Sequence, residues 1–181
     1  MTSISDVLDF WFAPGQEARW FVKDEAFDAE VRARLGALHE AAAAGRLAAW
    51  KETAGGCLAL VLLLDQVPRN LFRGEPRAFA TDAAAVAVTR QALAGGLDRD
   101  LSQVQRLFLY MPLEHSEALA DQEDCCRLVA ELTDKPEWAD YARQHRDIIA
   151  RFGRFPHRNA VLGRSNTEEE TAFLAEPNSS F

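Results

Sequence analysis

Lysine is nearly missing from this chain of 181 residues: three Lys stand against seventeen Arg. Basic charge as a whole is in deficit, with 20 Lys and Arg against 28 Asp and Glu, a net charge of −8 and a pI near 5.0. That balance excludes the broad basic face that a nucleic-acid partner demands. Cysteine is scarce as well. Cys57, Cys125 and Cys126 show no metal-ligand spacing, and the adjacent Cys125 and Cys126 are poor disulfide partners. An odd number of thiols therefore predicts a reducing, cytoplasmic setting. The start, Met1-Thr2-Ser3-Ile4-Ser5-Asp6, has neither basic residues nor a hydrophobic stretch, so no export signal is expected. No long apolar run exists either. The longest, Cys57 to Leu64, is eight residues, against about 20 for a membrane span, and no membrane partner is expected. Alternation of period two, a repeat of fixed length, and the glycine patterns of dinucleotide and P-loop sites are all lacking. No cofactor and no metal is assigned.

What is present is helical periodicity almost everywhere. The length predicts a single all-α domain over 1–181, with a frayed tail from about 175. A chain this long buries roughly 70% of its unfolded surface, enough for a core without disulfide or metal staples. Val7 to Phe12 form a short helix that stops at Pro14-Gly15. Phe27, Val31, Leu35 and Leu38 recur along one stripe of a long second helix, ended by Gly45. Leu47 and Trp50 open a short helical segment. Cys57 to Leu64 is apolar on every side and predicts a fully buried helix, ended by Pro68. Thr81-Asp82 caps an Ala-rich helix that closes at Gly95-Gly96. Ser102-x-x-Gln105 is a capping box, and Pro112 divides its helix from one reaching about Thr133. A helix from Asp134 and Pro136 carries Trp138, Tyr141, His145, Ile148, Ile149 and Phe152 on its inner face. Thr167-x-x-Glu170 caps a last helix to about Leu174. Short connections predict antiparallel hairpins.

Three polar constellations fall where that pattern expects burial. The most informative is Phe152-Gly153-Arg154-Phe155-Pro156-His157-Arg158-Asn159. Gly153 and Pro156 forbid the preceding helix from running through it. From Arg143 to Arg164 there are six Arg and one Asp, a local +5 that leaves −13 on the rest of the chain. Such Arg either bind a small anion or brace carboxylates and helix ends inside the fold. The second constellation is Asp65-Gln66-Val67-Pro68-Arg69-Asn70, with Arg73 beyond. Asp65 and Arg69 are spaced for a local ion pair, or Pro68 aims Asp65, Arg69 and Asn70 into one cavity. The two segments echo each other, each placing Arg-Asn shortly after a Pro.

The third constellation is Glu114-His115-Ser116-Glu117 with Asp121-Gln122. Glu114, Glu117 and Asp121 share one helical face free of Lys and Arg, which complements the Arg-rich segment downstream. A metal held by His115 with Glu117 or Asp121 matches neither the HExxH nor the paired Glu-x-x-His spacing. His115 and Ser116 are neighbours about 100° apart on a helix and cannot form a dyad, so a nucleophilic Ser116 needs His145 or His157. Cys57, inside the apolar run, reads as an inert thiol. Trp11, Trp20 and Trp50 are core residues or a stacking wall.

With these segments in hand, the chain resembles an uncharacterised bacterial family catalogued as domain of unknown function 924. The resemblance rests on Val7-Leu8-Asp9-Phe10-Trp11-Phe12, on Leu64 to Asn70, and on Phe79-Ala80-Thr81-Asp82. It continues through Arg106 to Pro112, His115-Ser116-Glu117, Asp121-Gln122 and Phe152 to Asn159. It implies a fold similar to tetratricopeptide-like α-superhelices and no established activity.

Two functional readings follow. In the first, helix ends converge on a polar pocket for a small anionic ligand. Arg69, Arg154 and Arg158 hold the anion, and Asn70 and Asn159 orient it. His115 and His157 handle protons, and Asp65, Glu117 and Asp121 orient those His or Arg. Any catalysis there is hydrolytic or group-transferring. In the second, the chain is a tetratricopeptide-like scaffold that grips a protein partner, and its polar clusters are braces.

Overall fold

Ser3 opens the first helix with a reciprocal capping box: its hydroxyl accepts from the Asp6 amide, and the Asp6 carboxylate accepts from the Ser3 amide. The computed structural model describes residues 3–177 and residue 179, so part of the expected frayed tail lies outside the described residues. Helix α1 covers Ile4–Trp11 and α2 covers Glu25–Ala43, the latter capped by Asp24, which accepts from the amides of Ala26 and Phe27. Then come α3 (Ala54–Val61), α4 (Val67–Leu71), α5 (Asp82–Ala94), α6 (Gln103–Glu114), α7 (Leu119–Val129), α8 (Glu137–Phe152) and α9 (Glu168–Leu174). The fold is all-α, with no strand among the described residues. None of the helices searched is long and apolar enough to cross a membrane.

Helix α3 lies at the centre. Cys57 to Leu64 are all buried, as an apolar surface on every side requires, and α3 packs against α1, α5 and α6. Its close seat depends on Gly56, where a Cβ would stand 1.9 Å from the Trp50 carbonyl oxygen. The expected stripe of Phe27, Val31, Leu35 and Leu38 is buried and carries α2 onto α4. Trp11 is fully buried, edge-on to Phe108, and Trp20 and Trp50 pack against the same core. A smaller cluster of Ile148, Ile149 and Phe155 joins α8 to the segment after it.

Several local expectations change. Pro112 sits inside α6 without ending it, because a proline forfeits one amide bond yet fits where neighbouring packing holds the backbone helical. The break comes at 115–118, and α7 ends at Val129, short of Thr133. Tyr141 is 53% exposed, whereas His145, Ile148 and Ile149 face inward. Thr81 makes no capping bond to α5, its hydroxyl being committed to the Leu64 carbonyl. Pro68 does not terminate the buried helix. It stands in the first turn of α4, and a π-helical turn over Leu62–Gln66 joins α3 to α4.

Candidate functional site

That π-turn follows from Pro68. A proline has no amide hydrogen, so the Leu64 carbonyl loses the donor four residues on. The Thr81 hydroxyl takes its place. The Leu63 carbonyl bonds His39 Nδ1 at 2.8 Å, and the Val67 amide reaches back five residues to Leu62. The extra residue in the turn leaves Asp65 and Gln66 inside the protein. A carboxylate buried without partners would be prohibitively unfavourable. The Asp65 carboxylate accepts from Gln66 Nε2 at 2.7 Å and His115 Nδ1 at 2.8 Å, and forms an ion pair with Arg69 Nη1 at 3.3 Å. Burial alone would push its carboxyl up, but the charge of Arg69 and the adjacent His115 hold it well below the ordinary range. The local Asp65–Arg69 pair and the convergence on a common site, set as alternatives by the spacing, are both present.

His115 ends α6, and its position is held from behind by Gln122. The fully buried Gln122 amide donates to the carbonyls of Glu114 at 2.6 Å and Ser116 at 2.7 Å, pinning the turn between α6 and α7. Because Asp65 is ionised, His115 Nδ1 is the donor in that contact, which leaves the lone pair on Nε2. Burial lowers the His115 pKa, Asp65 opposes this and Arg69 reinforces it, with a net downward shift that keeps the ring neutral at pH 7. Ser116 points elsewhere. Its hydroxyl donates to Asp121 at 2.6 Å and accepts from the Ala118 amide at 3.2 Å.

The echo between the two Pro-Arg-Asn segments has a geometric meaning: Arg69 and Arg158 meet on Asp82. Arg69 grips both Asp82 oxygens, at 2.9 and 3.1 Å, while Arg158 reaches one of them at 3.4 Å. The Arg158 guanidinium carbon lies 4.7 Å from the centre of the Phe79 ring and 4.5 Å from that of Phe155. Arg158 is only 6% exposed, and its Nε has no hydrogen-bond partner. Burial first, and the like charge of Arg69 second, lower its pKa to about 10. The turn carrying it is anchored by Glu117, whose carboxylate accepts from the Phe155 amide at 2.9 Å and from Arg164 at 2.7 and 2.9 Å.

The expected positive patch dissolves into ion pairs. Arg143 pairs with Asp140, Arg146 with Asp147, Arg151 with Glu169, Arg154 with Glu170 and Arg164 with Glu117. Of the six Arg in that segment, Arg158 alone is left with a single long ion pair, at 3.4 Å. The acidic face also divides. Glu117 meets the downstream Arg, Asp121 pairs with Arg90, and Glu114 turns into the core beside His145 and Cys125. Burial, aided by the charge of Asp65, pushes the Glu114 carboxyl up to about 7.

Of the ten residues expected at the pocket, seven do not line the cleft: Asp65 and Arg69 lie behind it, and Asn70, Asp121, Arg154, His157 and Asn159 are also absent from its wall. Arg154 is held by Glu170 at 2.6 and 2.8 Å, because the capping box of α9 places that carboxylate opposite it. Asn70 donates to Asp28, which Arg73 also binds, so it ties α4 to α2. Asn159 donates to Asn166 and accepts from Arg164, which closes the loop after the Phe155 turn. Asp121 serves Ser116 and Arg90. His157 is half-buried, its ring 5.5 Å from that of Phe155, and burial followed by the neighbouring Arg158 lowers its pKa to about 4. Among the described residues no three His, Cys, Asp or Glu side chains form a metal-binding group.

The surviving groups share an open cleft of about 370 Å³. His115, Ser116, Glu117, Asp82 and Arg158 form its polar side, and Phe79, Ala83, Val86 and Leu162 are among its apolar lining. None of the three Trp lines it. Asp82 and Phe79 are the members that sequence reasoning missed. Thr81-Asp82 read as a helix start, which accounts for an Asp without any site. The signal that could have found them was their place in Phe79-Ala80-Thr81-Asp82, a segment quoted only for the resemblance.

Comparison with known proteins gives the geometry a context. The model of a bacterial protein family of unknown function, DUF924, matches residues 7–178. A solved structure of a protein of unknown function from Agrobacterium tumefaciens is 43% identical and superposes with a TM-score of 0.90, covering 95% of this chain and 96% of that one. No curated protein matches the sequence. The chain therefore belongs to the DUF924 family of bacterial proteins.

Proposed function

We propose that the cleft between α5, the α6–α7 turn and the Phe155 turn binds a small anionic ligand through Arg158. One observation carries this reading: Arg158, only 6% exposed, has a single ion-pair partner, at 3.4 Å, and that carboxylate is already gripped by Arg69. Buried donors left without acceptors are unfavourable by about 1–3 kcal/mol each, more for charged groups. An anion arriving in the cleft would give the guanidinium a second charge partner beside the shared Asp82. A carboxylate suits the site better than a phosphate. One Arg with apolar neighbours matches a carboxylate, which carries one charge per group, whereas Asp82 and Glu117 at the same cleft repel the two charges that a phosphate dianion concentrates on one group. The volume lies at the low end of small-molecule sites, roughly 300–1,000 Å³.

The test is a thermal-shift titration of the purified protein with glutarate, adipate and inorganic phosphate, repeated on Arg158→Leu. Stabilisation by the dicarboxylates, absent in the variant, is the expected result. At about 100 times the dissociation constant it amounts to roughly 2.7 kcal/mol. A response to phosphate alone would reassign the anion. A flat screen would make Arg158 a brace like its five neighbours and return the protein to the scaffold reading.

A further inference from the structure

The cleft holds a second feature that anion binding does not use. His115 has its Nδ1 proton committed to Asp65, and its Nε2 makes no hydrogen bond to any described residue. His115 lines the cleft while Asp65 is fully buried, and Nε2 is the ring nitrogen not committed to Asp65. The arrangement is that of a general base: a neutral imidazole, its tautomer set by an ionised and immobile carboxylate. No side-chain nucleophile accompanies it. Ser116 is its chain neighbour, and its hydroxyl is engaged by Asp121 and Ala118. Cys57 and Cys125 are buried thiols with raised pKa values and do not line the cleft. What remains for Nε2 to deprotonate is water.

We propose that His115, positioned by Asp65, is the general base of a hydrolase that cleaves an ester of a small dicarboxylic acid. The inference rests on Arg158 holding the substrate's far carboxylate. The methylene chain would lie along Phe79, Val86 and Leu162. Water attacks the ester carbonyl as its proton passes to Nε2. The tetrahedral intermediate then collapses, the acyl C–O bond breaks, and the alkoxide leaves with the proton from Nε2. The products are an alcohol and the free dicarboxylic acid. An acyl centre develops one negative charge, whereas phosphoryl transfer spreads charge over several oxygens and calls for a larger cationic clamp.

The assay follows hydrolysis of monoethyl glutarate and monoethyl adipate by NMR, with ethyl butyrate as the neutral control. Turnover of the monoesters, with ethyl butyrate at least tenfold slower, is expected. His115→Ala should lower kcat by about 10²–10⁴-fold, and added imidazole should restore part of it, which no loss of structure could mimic. Asp65→Asn should lower kcat at unchanged KM. Imidazole should rescue His115→Ala and the double variant equally, because Asp65 acts only through His115. The rate of the wild type should be flat near pH 7 and fall as His115 protonates below pH 6.5.

Absence of monoester turnover, or His115→Ala within threefold of wild type, overturns the hydrolase. Adipate protection of His115→Ala in a thermal-shift control separates the two proposals. If monoester turnover fails while adipate still stabilises that variant through Arg158, the binding site stands and only the base is wrong. If hydrolysis depends on His115 but adipate binding ignores Arg158→Leu, the assignment of Arg158 fails, and with it the proposal's basis for preferring dicarboxylate esters.

Discussion

Arg158 approaches Asp82 at 3.4 Å, over a carboxylate whose two oxygens Arg69 already holds at 2.9 and 3.1 Å. The two arginines share one partner unequally, and on this inequality rests the proposal that Arg69 braces the fold while Arg158 binds a ligand.

Removing either should therefore have opposite consequences. Arg69→Leu strands Asp65 and Asp82, and loss of one member of a buried pair is destabilising by about 3–5 kcal/mol. Arg158→Leu replaces an under-paired cation between two Phe rings by an apolar side chain. It should unfold in urea within about 1 kcal/mol of wild type, or above it. Destabilisation of Arg158→Leu as large as that of Arg69→Leu would return Arg158 to the braces.

Arg154→Gln supplies the contrast within the same segment. Its partner Glu170 is held below the ordinary carboxyl range first by Arg154 and then by the Thr167 backbone. The variant should melt lower and unfasten α9, yet leave the dicarboxylate response of the cleft within twofold. A lost response would bring the α9 contact into the site.

Glu114→Gln should change the pH dependence of stability. Folding raises the Glu114 pKa from its ordinary 4.5 to about 7, so the native state binds more protons than the unfolded chain between those values. Stability from this group is therefore lost as pH rises from about 4.5 to 7, by roughly 3 kcal/mol at about 1.4 kcal/mol per pH unit. His145 and His157, held neutral with pKa values lowered to about 3 and 4, act in the opposite sense. Their contribution is full above the unfolded value of about 6.5 and is lost as pH falls. The difference between variant and wild type cancels the histidines. Glu114→Gln should gain on wild type from pH 5 to pH 7 and then level off, as read from urea midpoints, and a constant difference over that range would contradict the buried acid.

The π-turn makes a prediction of its own. Thr81→Val removes the donor to the Leu64 carbonyl and should destabilise by about 1–3 kcal/mol. In a Pro68→Ala background the new amide can reach that carbonyl, so the same substitution should be at least twofold milder. A double-mutant cycle with no coupling would show that Pro68 does not create the vacancy that Thr81 fills.

How much of the site could be read from the chain differs residue by residue. Asp65, Arg69, His115, Glu117 and Arg158 were legible because charge follows apolar runs at Pro- and Gly-broken turns, where a helix end must either solvate its polar groups or pair them. Asn70, Asn159, Arg154 and Asp121 share those turns and were assigned by proximity in sequence. Each found a nearer partner in space: Asp28, Asn166, Glu170 and Arg90. Asp82 was hidden because an Asp at a helix start already has a sufficient local explanation.

Local chemistry by itself determined the all-α class, the buried α3, the capping boxes at Ser102 and Thr167, and the ends at Gly45 and Gly153. Each depends on residues within one or two turns of each other. Which arginine stays under-paired was decided only in three dimensions. Asp65 lies 50 residues from His115, and Asp82 lies 76 from Arg158. Pairing across such distances depends on which carboxylate the packed helices bring within reach, and the geometry of α3 and its π-turn settles that.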